Sequence, residues 1–518
     1  MKIARFSLFR PQKKPVRLIL IVVLAILAVT RFTLITKGHL YLDDELRYRH
    51  TLQLIKELEK GDIKGGLYNI FCSYGRPGFT IISLVPAFLQ YHFSAPPRIT
   101  ESYKLVYPQD TLPIFDLSSY KIPSAFNVLI SIFVSFFFYR IALLLIKKRV
   151  PAVTATIVFS LLNASYMFIR HMLPYYHAIL ILFIALYIVL RESPGRKFTY
   201  KKTILVGFLI SFALTVYQPY YVLAGAIALL AVYKSESRLK STVIILLALF
   251  LVHLLFEILA HAAGTAFILQ GEKMKHILTD SADDNTYQLA FIFWLVYMVK
   301  GEGVLGGVLI VFFALFVFLT LPKRGTEIRT KILYTTLICG YIAHAVLVYF
   351  PKYFILFTRQ FYVYMPFIVI GAVYFIGNLK KARKPVMACL LVLSIVSFAF
   401  YFRAYSMTDY PRDFFRRVSI EYPDKKITNT CEFYPKKLQD MLMYAFLERK
   451  YDILTVNLRT IPPDFRSFAP LDFPNKLLVE SKPHPLISFT PYLYSDYSPV
   501  QRKIIEKNKT TMRLYRFR

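Results

Sequence analysis

The sequence predicts an all-α polytopic membrane protein of about eleven transmembrane helices, N-terminus inside and C-terminus outside, with a small C-terminal extracytoplasmic α/β domain. Three observations predict it. Of 518 residues, 56% are hydrophobic and 16% aromatic, with a mean hydropathy of +0.47, which is more than a soluble chain of this size carries. Apolar runs close to the ~20 residues needed to cross hydrocarbon recur along the chain, and in lipid such runs satisfy their backbone only as helices. The net charge of +33 is spread over short connections between those runs instead of forming one stripe, a pattern of membrane topology and not of nucleic-acid binding.

Lys2, Arg5, Arg10, Lys13, Lys14 and Arg17 precede the first span, 18–36, and hold the N-terminus in the cytoplasm. A first outer loop, 37–123, follows. Further spans are expected at 124–146, 152–170, 174–190, 203–218, 219–233, 242–260, 304–321, 332–350, 361–377 and 385–402. The basic clusters around Lys147, Arg191, Lys234, Lys323 and Lys380 then all face the cytoplasm. That alternation closes when the short apolar stretches 78–92 and 287–299 are assigned to helices in, or re-entering, the outer interface. Residues 1–402 make the membrane domain. From Arg403 hydrophobicity falls, and 403–518 read as a second domain with a helix over 436–450, a strand over 453–456 and a helix near 500–508.

The sequence shows no internal repeat, low-complexity tract, Walker, Rossmann or zinc spacing. Among four cysteines, Cys72 and Cys431 both fall on the outer side, where a disulfide and two unpaired thiols are the alternatives. The first apolar segment lacks a cleavage-site pattern and is expected to stay as a span.

Chemistry gathers in the first outer loop. Asp43, Asp44 and Glu45 follow the first span directly, and crowded carboxylates at a membrane face can raise one pKa into the range of a general base. The same three residues also suit the start of a helix, with Asp43 as cap ahead of the amphipathic run 46–58. About thirty residues on stands Gly75-Arg76-Pro77-Gly78.

The Asp-Glu pair just beyond the first span, the amphipathic helix with Gly61, the Arg-Pro before an apolar stretch and the N-in, C-out bundle together resemble the GT-C glycosyltransferases. More narrowly, the chain resembles the branch holding bacterial aminoarabinose transferases, protein O-mannosyltransferases and rhizobial lipopolysaccharide core transferases. The likeness is strongest over 18–190, looser to about 377, and does not reach the tail. It implies a GT-C-like fold and inverting transfer of a sugar from a polyprenyl-phosphate donor on the extracytoplasmic face. Asp44 then maps to the general base, Glu45 to its motif neighbour and Tyr48 to the next motif position; an alternative register makes Asp43 the base. Arg76 maps to a donor phosphate contact, with Pro77-Gly78 where relatives carry Pro-Pro. Arg359, ahead of Tyr362 and Pro366, maps to a second one. Tyr48, Arg170 and His171, the last two in an outer hairpin, and Tyr362 are expected at the cavity, whereas Tyr175 and Tyr176 read as interfacial belt residues. Where many relatives carry an Asp in that hairpin, this chain has Pro174 and Tyr175.

Both arginines also suit headgroup anchoring. The loop 261–303, with Asp283, Asp284, Lys300 and Glu302, is expected to be a solvated loop or a lid over the donor. His253 and Glu257, four apart within a span, read as a satisfied pair or a proton relay. The implied partners are the polyprenyl-phosphate sugar and a lipid, glycan or protein acceptor, with no nucleic acid. The sequence requires no cofactor, a divalent cation staying an alternative, and a bacterial inner membrane is the expected location. A transporter or flippase, and an O-antigen ligase, are the competing classes. An oligosaccharyltransferase is excluded, because its paired-tryptophan signature cannot occur in a chain with one tryptophan, Trp294.

Overall fold

A computed structural model describes residues 14–35, 42–72, 76–93, 103–105, 121–170, 174–192, 198–267, 290–349, 358–406, 417, 421, 427–430, 453–457, 476–481 and 512–516. The expected helices over 436–450 and 500–508 and most of the 261–303 loop lie outside them.

The described residues are mostly helical. The first span is α1 (Lys14–Phe32). The first outer loop contains α2 (Leu42–Glu59), α3 (Ile63–Phe71) and α4 (Pro77–Phe93), the last covering the stretch assigned to an interfacial helix. The bundle continues with α5 (Lys121–Ile146), α6 (Arg149–Ser160), α7 (Asn163–Arg170), α8 (Tyr175–Arg191), α9 (Tyr200–Val216) and α10 (Tyr221–Lys234). Then come α11 (Arg238–Ala262), α12 (Phe293–Leu315), α13 (Ile328–Tyr349), the single turn α14 (Thr358–Phe361), α15 (Met365–Asn378) and α16 (Arg383–Tyr405).

Five helical stretches are long and apolar enough to cross a membrane: Lys121–Ile146, Arg238–Ala262, Gly301–Thr320, Ile328–Leu347 and Arg383–Arg403. Leu18–Phe32, Arg149–Ser160, Tyr175–Arg191 and Met365–Asn378 are shorter and also apolar. The chain is therefore a helical membrane protein. Its periphery is built as lipid requires: α11 exposes Leu246, Leu247, Phe250, Leu251, Leu254 and Ile258, a face that would drive aggregation in water. By contrast, α8 and α15 are buried on nearly all sides and form the centre.

Two departures from the expected spans matter. The expected 152–170 span is interrupted at Leu161-Leu162 into α6 and α7. The expected interfacial stretch 287–299 runs on into the following span, since α12 continues through a kink at Gly303 (φ 59°, ψ −137°), a conformation that only glycine adopts readily.

The basic connections converge at one end of the bundle. Lys147 Nζ lies 3.0 Å from Glu327 Oε2, and Lys148 Nζ donates to Gly377 O (2.9 Å) and Asn378 Oδ1 (2.8 Å). Lys202 pairs with Glu192, and Lys234 Nζ donates to Val189 O (2.8 Å) and Glu192 O (2.7 Å). Arg329 Nη1 donates to Leu190 O at 2.8 Å. Lys234 and Arg329 occupy the carbonyl end of α8 and Lys148 that of α15, where the helix dipole favours positive charge.

A five-stranded sheet runs in the order β1 (Tyr103–Leu105), β2 (Ile427–Thr430), β3 (Ile453–Asn457), β5 (Met512–Arg516), β4 (Lys476–Ser481). The first two pairings are parallel and the last two antiparallel. Its edge strand β1 comes from the first outer loop and pairs Tyr103 with Ile427, so that loop and the tail share one sheet.

Candidate active site

The acidic cluster opens a helix. Asp43, Asp44 and Glu45 occupy the first turn of α2, where carboxylates oppose the positive end of the helix dipole; the backbone alone is described there. One turn later Tyr48 is 2% exposed and packs with Leu52 and Ile55 of α2 and Ala87 of α4, and burial pushes its phenol above the usual range. At the other end Glu59 Oε1 lies 3.1 Å from His92 Nε2, so the C-termini of α2 and α4 meet and the pair is not antiparallel.

Between these helices α3 starts with Asp62 as cap, accepting from Gly65 N at 2.8 Å, and packs Phe71 edge-on against Phe256 of α11 at 5.8 Å. Cys72 closes α3. Its Sγ lies 3.3 Å from His50 Nδ1, which is itself 3.2 Å from Asn69 Oδ1. Burial pushes the thiol up to about 11, which makes it a poor nucleophile at neutral pH.

Arg76 begins α4, its carbonyl accepting from Phe79 N (3.1 Å) and Thr80 N (3.3 Å). Its guanidinium is half-buried over the ring of Tyr217, Cζ 4.8 Å from the centroid. Nη1 is buried and has no hydrogen-bond partner, and no carboxylate pairs with the group, among the described residues. Gly78 explains how the helix start reaches Tyr217: a Cβ there would sit 2.4 Å from Thr215 Oγ1 and 2.9 Å from the Thr215 carbonyl carbon. The departure from Pro-Pro is therefore a close approach between α4 and the end of α9.

From Tyr217 the rings continue inward through Tyr175, Phe168 and Tyr362, each pair 4.8 Å apart. Tyr362 is fully buried, its hydroxyl 3.3 Å from Ser165 Oγ, and Tyr176 OH donates to Ser165 O. The structure thus joins Arg76 and Tyr362 in one aromatic cluster and places Tyr48 in another. Tyr175 and Tyr176, expected as belt residues, are each 1% exposed inside the bundle, because the start of α8 packs Tyr175 against Tyr217 and Tyr176 against Tyr362. Arg170 ends α7 and Arg359 lies in α14, both with the backbone alone described; His171 lies outside the described residues, as do Asp283 and Asp284.

Two buried charges escaped the sequence reading. Arg31 of α1 is 1% exposed and donates through Nη1 to Ser131 O (2.9 Å), Ser131 Oγ (3.1 Å) and Ser135 Oγ (3.2 Å), and through Nη2 to Ser160 O (3.1 Å). Glu302, expected in a solvated loop, is 1% exposed and accepts from Asn163 N (2.7 Å) and Ala164 N (3.0 Å). The available signal was a charge inside or beside an apolar run. That rule did single out His253 and Glu257, but they are not each other's partners: His253 Nδ1 bonds Leu249 O at 2.8 Å, while Glu257 meets His261 at 3.1 Å and Phe267 N at 3.0 Å.

Among the described residues no group of three or more His, Cys, Asp and Glu gathers as metal ligands would. No family model matches the chain, and no curated protein matches it.

Proposed function

We propose that the protein is an integral-membrane glycosyltransferase of GT-C type, moving a sugar from a polyprenyl-phosphate donor to a lipid, glycan or protein acceptor on the extracytoplasmic face. The observation that carries this reading is Arg76. A half-buried guanidinium at a helix start, with a buried donor left over and no carboxylate paired with it among the described residues, is a site suited to an anion. A phosphate carried in the membrane has that charge and that depth.

In the proposed reaction Asp44, aided by its neighbour Glu45, takes the proton of the acceptor hydroxyl. The freed oxygen forms its bond to the anomeric carbon as the bond from that carbon to the phosphate oxygen breaks, inverting the centre. Arg76 and, as a second contact, Arg359 hold the departing phosphate. Support for a common site comes from the meeting of α2 and α4 at their C-termini, which excludes an antiparallel pair with Asp44 and Arg76 at opposite ends.

The topology proposed is eleven spans in a bacterial inner membrane. It is supported by the sheet, which holds β1 and β2 on one side. With α6 and α7 taken as one pass, ten described helical passes separate those strands: α5, α6–α7, α8 to α13, α15 and α16. An even number returns the chain to the side it left.

A transporter or flippase is the second reading, favoured by the interrupted helix α6–α7 with buried Arg31 and Glu302 at its break, a feature transporters use. Transfer from a polyprenyl-phosphate sugar by purified protein in detergent decides between them, because no compartment exists there to transport into. Asp44→Asn should lower that transfer by about 10²-fold or more. Near-normal transfer by this variant would remove Asp44 from the mechanism.

A further inference from the structure

α6 and α7 are halves of one helix, and each end of the break meets a buried charge of the sign its dipole asks for. Ser160 O, at the carbonyl end of α6, accepts from Arg31 Nη2 at 3.1 Å. Across the break, both oxygens of Glu302 serve the amide end of α7: Oε2 accepts from Asn163 N and Oε1 from Ala164 N. Asn163 Nδ2 closes the contact onto Gly301 O at 2.9 Å. Counting 1.5 Å per residue from Arg149, the break lies about 17 Å along the pass, near the middle of the hydrocarbon core.

A continuous helix through 161 and 162 would satisfy the same backbone groups without burying any charge. Glu302 moreover reaches α7 only through the kink at Gly303, whose φ of 59° and ψ of −137° disfavour any other residue. Buried charge and a backbone turn open only to glycine are therefore both spent on giving α7 a direction of its own, and α7 ends at Arg170.

We infer that Glu302 is a positioning residue. It fixes the axis of α7, and through it the place of Arg170 at the proposed reaction site, while Arg31 anchors the other half, α6. The inference rests on the transferase reading for its effect on turnover, but not for the cap itself.

The test is amide hydrogen exchange on the full-length protein in nanodiscs, read together with transfer kinetics. In Glu302→Ala, exchange over 163–170 should rise at least tenfold while 175–191 stays unchanged. The kcat should fall at least tenfold with the donor KM within threefold of wild type. Glu302→Gln keeps one acceptor oxygen and should fall between the two; if the alanine variant does not fold, this variant is read alone. Unchanged exchange over 163–170 overturns the inference. So does faster exchange across α8 as well, which would make Glu302 a support of the whole bundle, and so does a loosened α7 with wild-type kcat. If the wild type transfers no sugar at all, the transferase reading fails, and the exchange data still accept or reject the cap.

Discussion

Two regions of the bundle treat their basic residues differently. At the end where the basic connections converge Arg329 donates to Leu190 O and lies 2.6 Å from Glu327 Oε1, an ion pair without hydrogen-bond alignment, while Lys147, Lys148, Lys202 and Lys234 each meet a carboxylate or a helix-terminal carbonyl. At the start of α4 Arg76 has an aromatic face beneath it and a buried nitrogen with no partner among the described residues. Sequence alone ranks these groups together as basic residues near membrane faces. Their surroundings separate them: the first group is satisfied by the chain's own carboxylates and carbonyls, whereas Arg76 keeps a buried donor without a partner among the described residues, the feature on which the proposed phosphate contact rests.

Substitutions can break that comparison. The largest effect on folding should come from Arg329→Ala, which strips a cap from α8 and leaves Glu327 short of a buried partner, costing about 3 kcal/mol in thermal or denaturant unfolding. Transfer per folded molecule should not change. Gly78→Ala should follow at about 1–3 kcal/mol, because its methyl group meets Thr215 at 2.4 Å and must push the start of α4 away. Donor binding should weaken with it, since Arg76 moves too; an alanine variant with unchanged unfolding and donor affinity would show that the contact is slack.

Arg76→Ala should invert the pattern of Arg329→Ala. Loss of a charge-assisted contact worth about 1.5–3 kcal/mol should weaken donor affinity by roughly tenfold or more, with unfolding little altered. Equal donor affinity in titrations of both proteins would return Arg76 to the structural class. The smallest effect concerns Cys72. Its folded pKa, raised from 9.0 to about 11, keeps the thiol protonated, so maleimide labelling at pH 8 should run about 10²-fold slower than for a free thiol. The raised value also means that this group's contribution to stability is fully present below pH 9 and is lost as the pH rises through 11. Fast labelling at pH 8 would show that the thiol is not buried beside His50.

Much of this architecture is legible in the chain. Apolar length and basic punctuation locate α5, α11, α13 and α16 within a few residues, because lipid leaves a helix as the only way to satisfy the backbone. Arg76 stands out because a proline follows it. The interruption of α6–α7 is not legible: residues 150–170 carry no internal glycine, and their one proline, Pro151, is in the first turn, where it breaks nothing. The carboxylate that caps α7 lies 139 positions away, in Glu302, which has the look of a loop residue in the sequence and stands next to the kink at Gly303. Tyr217 is hidden for the same reason. Its role under Arg76 depends on α4 and α9 approaching at Gly78, a contact that no local pattern records.

The central claim is that Arg76 waits for a lipid-borne phosphate that Asp44 helps to release, and one measurement addresses it directly: mass spectrometry of the lipids that co-purify with Asp44→Asn. A variant that binds but does not turn over should retain a polyprenyl-phosphate sugar, lost again when Arg76→Ala is added. Finding only bulk phospholipid in the variant and the wild type alike would contradict the account and move the weight to a transporter.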